Sequence, residues 1–260
     1  SFLISTDVVL IPLCSLTLLI LLKIRKDPKI INFVYLGVFL GLSFLTKYAA
    51  LYYIISIILI FAFDNKLRSF LFLKFFNLLF FVFCFFIVLL PNIFWNFKNS
   101  WITFYHTSDN AGLTRADINI TQGLEFLLSQ TVMMGPILFV FFLFNIKKIT
   151  LSFQTKFLLT FSLPVFFIIF IESVLVRANA NWAAVGIVPL FLLITNIVYN
   201  YSKKAFFYNN IFNLIFCLIL FFLIATSSNL KIFDRINGVS KFALTLESKH
   251  LNKNNLLIVE

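Results

Sequence analysis

Few ionisable residues interrupt the apolar runs of this chain, and such residues beside a membrane cavity are candidates for function. Asp7, in Ser5-Thr6-Asp7, leads an apolar run, where an acid suits a helix N-cap or the orientation of a hydroxyl or a cation. Lys47, in Leu45-Thr46-Lys47-Tyr48, separates two apolar stretches, where a lysine snorkels to the interface or pairs with a lipid phosphate. His106 and Asp109, in His106-Thr107-Ser108-Asp109-Asn110, are turn-spaced and suit a proton relay, an acceptor contact or a plain loop hydrogen bond. Arg177 stands in a short polar segment with Glu172, Asn179 and Asn181, where a guanidinium grips a phosphate bidentately or closes a salt bridge to Glu172. No Gly-rich nucleotide loop, zinc-ligand spacing or nucleophile elbow accompanies them, so nucleotide-sugar chemistry and ATP-driven transport lack support.

The elements that must position these groups are membrane helices. With 61% hydrophobic and 12% charged residues and a mean hydropathy of +1.01, the chain is too apolar for a water-soluble fold. Its apolar runs are long enough to cross a hydrocarbon layer of roughly 30 Å as helices, which satisfy their own backbone groups. About eight spans are expected, near residues 8–22, 31–46, 48–63, 70–90, 124–144, 157–176, 182–199 and 206–226. The fold class is therefore an all-α polytopic membrane protein. Residues 1–228 form the bundle, and residues 229–260 begin an outward-facing segment, ending in what reads as the start of a strand. The chain lacks an initiator Met, and its first apolar run lacks a basic leader, so it reads as a fragment and not as one opening on a signal peptide.

Charge decides how the run 31–63 is divided. Lys23, Arg25, Lys26 and Lys29 precede it and Lys66, Arg68 and Lys74 follow it, so the positive-inside rule places both ends in the cytoplasm and requires two short spans meeting near Lys47. The alternation then puts Lys147, Lys148, Lys156, Lys203 and Lys204 inside, and Asp7, Lys47, the 91–123 loop and the 172–181 loop outside. The net charge of +11 lies in these short clusters and forms no continuous basic face, which argues against nucleic acid. Cys14, Cys84 and Cys217 have no paired spacing and suggest neither disulfides nor a metal site.

Several stretches resemble one family in its order: Ser5-Thr6-Asp7; Gly41 to Tyr48; Pro91 to Asn96 with Trp101; His106 to Asn110; Leu124-Glu125-Phe126 with Gln130 and Gly135-Pro136; and Arg177 to Trp182. The set is similar to glycosyltransferase family 39, the membrane enzymes related to protein O-mannosyltransferases and to the lipid A aminoarabinose transferase. That resemblance implies a GT-C-type helical bundle that transfers a sugar, with inversion, from a polyprenyl phosphate to a glycolipid, protein or glycan acceptor. It implies a bacterial inner membrane with the site on the periplasmic face. On this basis Asp7 positions the donor sugar or a cation, and Lys47, Tyr48, Trp95, Asn96, His106, Asp109, Asn110, Gln130, Arg177, Asn181 and Trp182 bind substrate. The family's general base is expected upstream of Ser1; the metal is undecided, with a divalent cation left open. The rival reading is a transporter or flippase of a lipid-linked sugar, holding the same phosphate without bond chemistry.

Overall fold

The computed structural model describes residues 5–112, 118–176, 178–226 and 242, and among these the secondary structure is helical, with no strand. The chain forms two compact units, Ser1–Phe206 and Phe207–Glu260. Residues 229–260, apart from 242, lie outside the described residues, and with them the terminal strand expected there.

The first unit is built on α1 (Thr6–Lys26) and α2 (Ile30–Thr46). Lys23, Arg25 and Lys26 occupy the last turn of α1, where cations oppose the negative end of the helix dipole. The division expected at Lys47 is present: α2 ends at Thr46, Lys47 takes an extended backbone, and a 3-10 turn, Tyr48–Ala50, leads into α3 (Leu51–Phe63). Then follow α4 (Asn65–Leu73) and α5 (Phe75–Lys98).

Helix α2 packs between α1 and α5. Close approach to α5 depends on Gly37 and Gly41: a methyl on Gly37 would strike the Phe81 carbonyl and Cys84, and one on Gly41 would lie 2.9 Å from Val88 Cβ. Small residues four apart let two membrane helices approach backbone to backbone, and dispersion contacts replace the hydrophobic drive that lipid does not supply.

The two ends of α1 carry separate polar networks. Arg25 reaches both carboxylate oxygens of Asp64 at 3.2–3.3 Å, and its guanidinium lies 3.6 Å over the Phe153 ring. Asp64 also caps α4 by accepting from the Leu67 amide. Asp7 stands eighteen residues earlier, about 27 Å away along the helix axis.

The next elements are α6 (Ile102–Ala111), α7 (Ile120–Met134), α8 (Pro136–Asn145), α9 (Phe153–Thr160), α10 (Leu163–Leu175), α11 (Ala184–Tyr201) and α12 (Lys203–Ala225). Among the described residues five helical segments are long and apolar enough to cross a membrane, or seven if each of two bent pairs is one span. Ile30–Thr46 is a shorter apolar helix, so the expected eight are not matched one for one.

Two boundaries differ from the sequence reading. The run 124–144 is two helices bent by 102°, because Gly135 adopts φ +95° and Pro136, lacking an amide hydrogen, can only start a new helix. The run 70–90 shifts, because Lys74 breaks the backbone between α4 and α5, and α5 then continues through Pro91 to Lys98. Residues 91–98 are therefore helical. α3 and α4 are also bent by 96°, which turns the basic Asn65–Leu73 segment away from the α3 axis.

Candidate functional site

The site begins where α1, the α2–α3 junction and the loop before α11 converge. Asp7 lies in the first turn of α1, and its side chain is only 14% exposed. Its Oδ1 accepts from Lys47 Nζ at 2.8 Å and its Oδ2 from Asn181 Nδ2 at 3.0 Å. Because α2 ends just before it, Lys47 projects from the helix end toward Asp7. A continuous helix over 31–63 would have carried it round as an ordinary helical position.

Both Asp7 oxygens thus face hydrogen-bond donors. A divalent cation there would have to displace an ammonium, so the residues present do not suit metal binding at Asp7. Among the described residues no three His, Cys, Asp or Glu side chains gather as a metal site. The arrangement suits a positioning carboxylate: it holds one donor of Lys47, while the ammonium has two further hydrogens to offer a ligand.

Two cavities meet at this junction. The larger, about 580 Å³, is lined by Phe44, Thr46, Lys47, Tyr48, Asn92, Thr103 and His106 among others. The smaller, about 430 Å³, shares Lys47, Tyr48 and Thr107 with it and is closed by Tyr52, Ile169, Glu172 and Trp182. Both fall in the usual size range of small-molecule pockets, roughly 300–1,000 Å³. Lys47, at 25% side-chain exposure, therefore presents a partly desolvated charge to both cavities.

Tyr48 is held as firmly as Lys47. Its ring stacks on Phe104 at 5.3 Å and tilts against Phe44 at 5.1 Å, and its hydroxyl is 2.9 Å from Thr103 Oγ1. These contacts pin α6 across the cavity mouth. Ser100 and Trp101 take the left-handed conformation to make the turn from α5 into α6.

Asn96, expected to bind substrate, is instead fully buried as the brace of that turn. Its amide donates to the Asn92 carbonyl and side-chain oxygen, its Oδ1 accepts from Thr103, and its carbonyl accepts from the Trp101 amide. Trp95 is half exposed and lines neither cavity. His106 lines the larger cavity, while Asp109, one turn on, is exposed and outside both linings.

Gln130 is buried on α7 and donates to the Ala180 carbonyl at 2.9 Å, which fixes the loop carrying Asn181. Trp182 lines the smaller cavity. Arg177 and the side chain of Asn110 lie outside the described residues. Asn92 and Thr107, which fall inside the family-like stretches, also face the cavities, as do Tyr52 and Thr103, which nothing in their sequence context singles out. Glu172 was visible in the sequence only as a salt-bridge partner for Arg177, and here it lines the smaller cavity.

Residues 1–95 match the family described as dolichyl-phosphate-mannose-protein mannosyltransferase. The lipid A galacturonosyltransferase RgtD of Rhizobium johnstonii is 30% identical over 202 residues, which cover 75% of this chain and 41% of that protein. Over these stretches the chain is similar to membrane glycosyltransferases of that family. It spans well under half the length of that curated relative. No solved structure matches it. The family-matched stretch contains Asp7, Lys47 and Tyr48, whereas His106, Gln130, Asn181 and Trp182 lie beyond it. The ion pair at the convergence of the two cavities is thus formed wholly within the part of the sequence shared with the family.

Proposed function

We propose that this chain is part of a membrane glycosyltransferase that moves a sugar from a polyprenyl-phosphate donor to an acceptor at the periplasmic face of a bacterial inner membrane. The observation that carries this reading is Lys47, fixed by Asp7 at the meeting of two cavities, in a chain related to lipid-linked-sugar transferases. One cavity admits the lipid phosphate and its sugar and the other admits the acceptor.

In the transfer step an acceptor oxygen attacks the anomeric carbon and a carboxylate base takes its proton. The bond from that carbon to the phosphate oxygen breaks with its electron pair passing to the phosphate, and the anomeric centre inverts. Negative charge grows on the leaving phosphate, and Lys47 stabilises it in a water-poor pocket. Asp7 and Asn181 act as positioning groups, since a pre-oriented ammonium need not reorganise as that charge appears. Arg177 would supply a second cation to the same phosphate, and His106 a contact to the acceptor.

The flippase reading draws on the 102° break between α7 and α8, because broken helices build the sites of many transporters. However, no residue of α7 or α8 lines either cavity. The transferase reading is tested with the full-length protein in vesicles carrying a polyprenyl-phosphate sugar. It predicts release of free polyprenyl phosphate only when acceptor is added. Translocation of the intact donor without such release would replace it with the flippase.

A further inference from the structure

A second polar cavity lies at the opposite end of the first unit. It measures about 320 Å³ and is walled by Lys148, Thr150, Ser152, Gln154, Asn196 and Asn200, with Tyr201 at its rim. Its place follows from α11, whose start adjoins Asn181 beside Asp7 and whose last residue, Tyr201, donates to the Lys148 carbonyl. About 26 Å of helix separates those ends.

The chemistry of this cavity is one-sided. Lys148 is held by the Asn145 side-chain oxygen at 2.8 Å and lies 5.0 Å over the Tyr201 ring, which leaves two ammonium hydrogens for a ligand. Lys147, Lys156, Lys203 and Lys204 stand in the flanking segments, while residues 141–171 and 183–208 contain no Asp or Glu. Hydroxyls and carboxamides complete the wall. A compact, acceptor-rich anion such as a phosphodiester fits this donor set.

Two observations favour a lipid over a free phosphate as its source. The cavity is lined by the last turns of α11, a helix end of the kind that meets headgroups, and Phe144 and Leu151, in the segments beside it, expose large apolar side chains suited to acyl chains. We propose that this cavity binds the phosphate headgroup of an anionic phospholipid, on the face of the bundle opposite Asp7. The site ties the segment after α8 to α9 and α11 at the basic end. It is independent of the transferase reading, because its occupant is a bilayer component and not a substrate.

The test uses purified full-length protein, with native mass spectrometry and thermal stability read in the presence of phosphatidylglycerol, phosphatidylcholine or glycerol phosphate. Phosphatidylglycerol is expected to be retained and to raise the melting temperature, whereas the other two are not. Lys148→Gln should weaken its binding by about fivefold, the worth of one lysine near an anionic surface, and Lys148→Arg should not. If Lys148→Gln does not fold, Asn196→Leu, which replaces a polar wall group at an exposed position by an apolar one of similar shape, should give the same loss. Equal retention of phosphatidylcholine, or unchanged binding by a folded Lys148→Gln or Asn196→Leu protein, would overturn the site. Equal stabilisation by glycerol phosphate would reassign it to a soluble anion and overturn the lipid.

Discussion

Removing either partner of the Asp7–Lys47 pair separates its structural role from its chemical one. At 2.8 Å, with side-chain exposures of 14% and 25%, the pair lies between two limits. Exposed ion pairs contribute about 0.2–1 kcal/mol, and breaking a buried one costs about 3–5 kcal/mol. A value of about 1–3 kcal/mol follows for either Asp7→Ala or Lys47→Ala, each of which leaves a half-buried charge without its partner. The double variant leaves no such charge, so its cost should fall short of the sum of the singles, with a coupling of about 1–2 kcal/mol. Unfolding of the four proteins in a mixed-detergent titration measures this directly. Turnover should behave differently: Lys47→Ala loses about 100- to 1,000-fold, as for removal of a charge-stabilising donor, while Asp7→Asn, which keeps an acceptor for Lys47, loses about tenfold. Strictly additive destabilisation would show that the pair does not form, and equal turnover losses in Asp7→Asn and Lys47→Ala would refute the division into positioning carboxylate and phosphate-binding ammonium.

Other perturbations test the scaffold. Gly41→Leu places side-chain atoms where even a Cβ lies 2.9 Å from Val88, so α2 and α5 must separate; a loss of about 3 kcal/mol or more and a sharp fall in folded yield are expected. Asp64→Ala removes both the Arg25 pair and the α4 cap at the far end of α1, and should lower the melting temperature while leaving KM unchanged. Gln130→Leu strips the Ala180 carbonyl of its donor and should cost about 1–3 kcal/mol and reduce turnover through the Asn181 loop. Trp95→Ala, at a half-exposed position outside both cavities, should leave turnover within about twofold of the parent.

The helical, membrane-spanning character was legible because it rests on transfer free energy, which is a property of composition. The break at Lys47 was legible because charge on either side of 31–63 restricts where the ends can lie. The break at Gly135 was not read, although Gly-Pro is a strong stop signal: hydropathy is continuous through it and reports burial but not direction. At the site, the sequence marked Asp7, Lys47 and Asn181 but not their mutual contacts, which join residues 40 and 174 positions apart. Asn96 was marked because it closes the family-like stretch Pro91 to Asn96, and its burial as a brace could not be read from that stretch. Its partner Thr103 lies across a left-handed turn at Ser100 and Trp101, which bulky Trp gives no local reason to expect. The cavity linings thus include Lys47, Tyr48, Thr103 and His106 but neither Trp95 nor Asn96.

The most direct test is a structure of the full-length protein with polyprenyl phosphate bound. The account predicts a phosphate oxygen about 2.8 Å from Lys47 Nζ, the length of a charge-assisted hydrogen bond, with the Asp7 contact kept. A phosphate bound elsewhere, with the space around Lys47 occupied by lipid chains or closed, would contradict it.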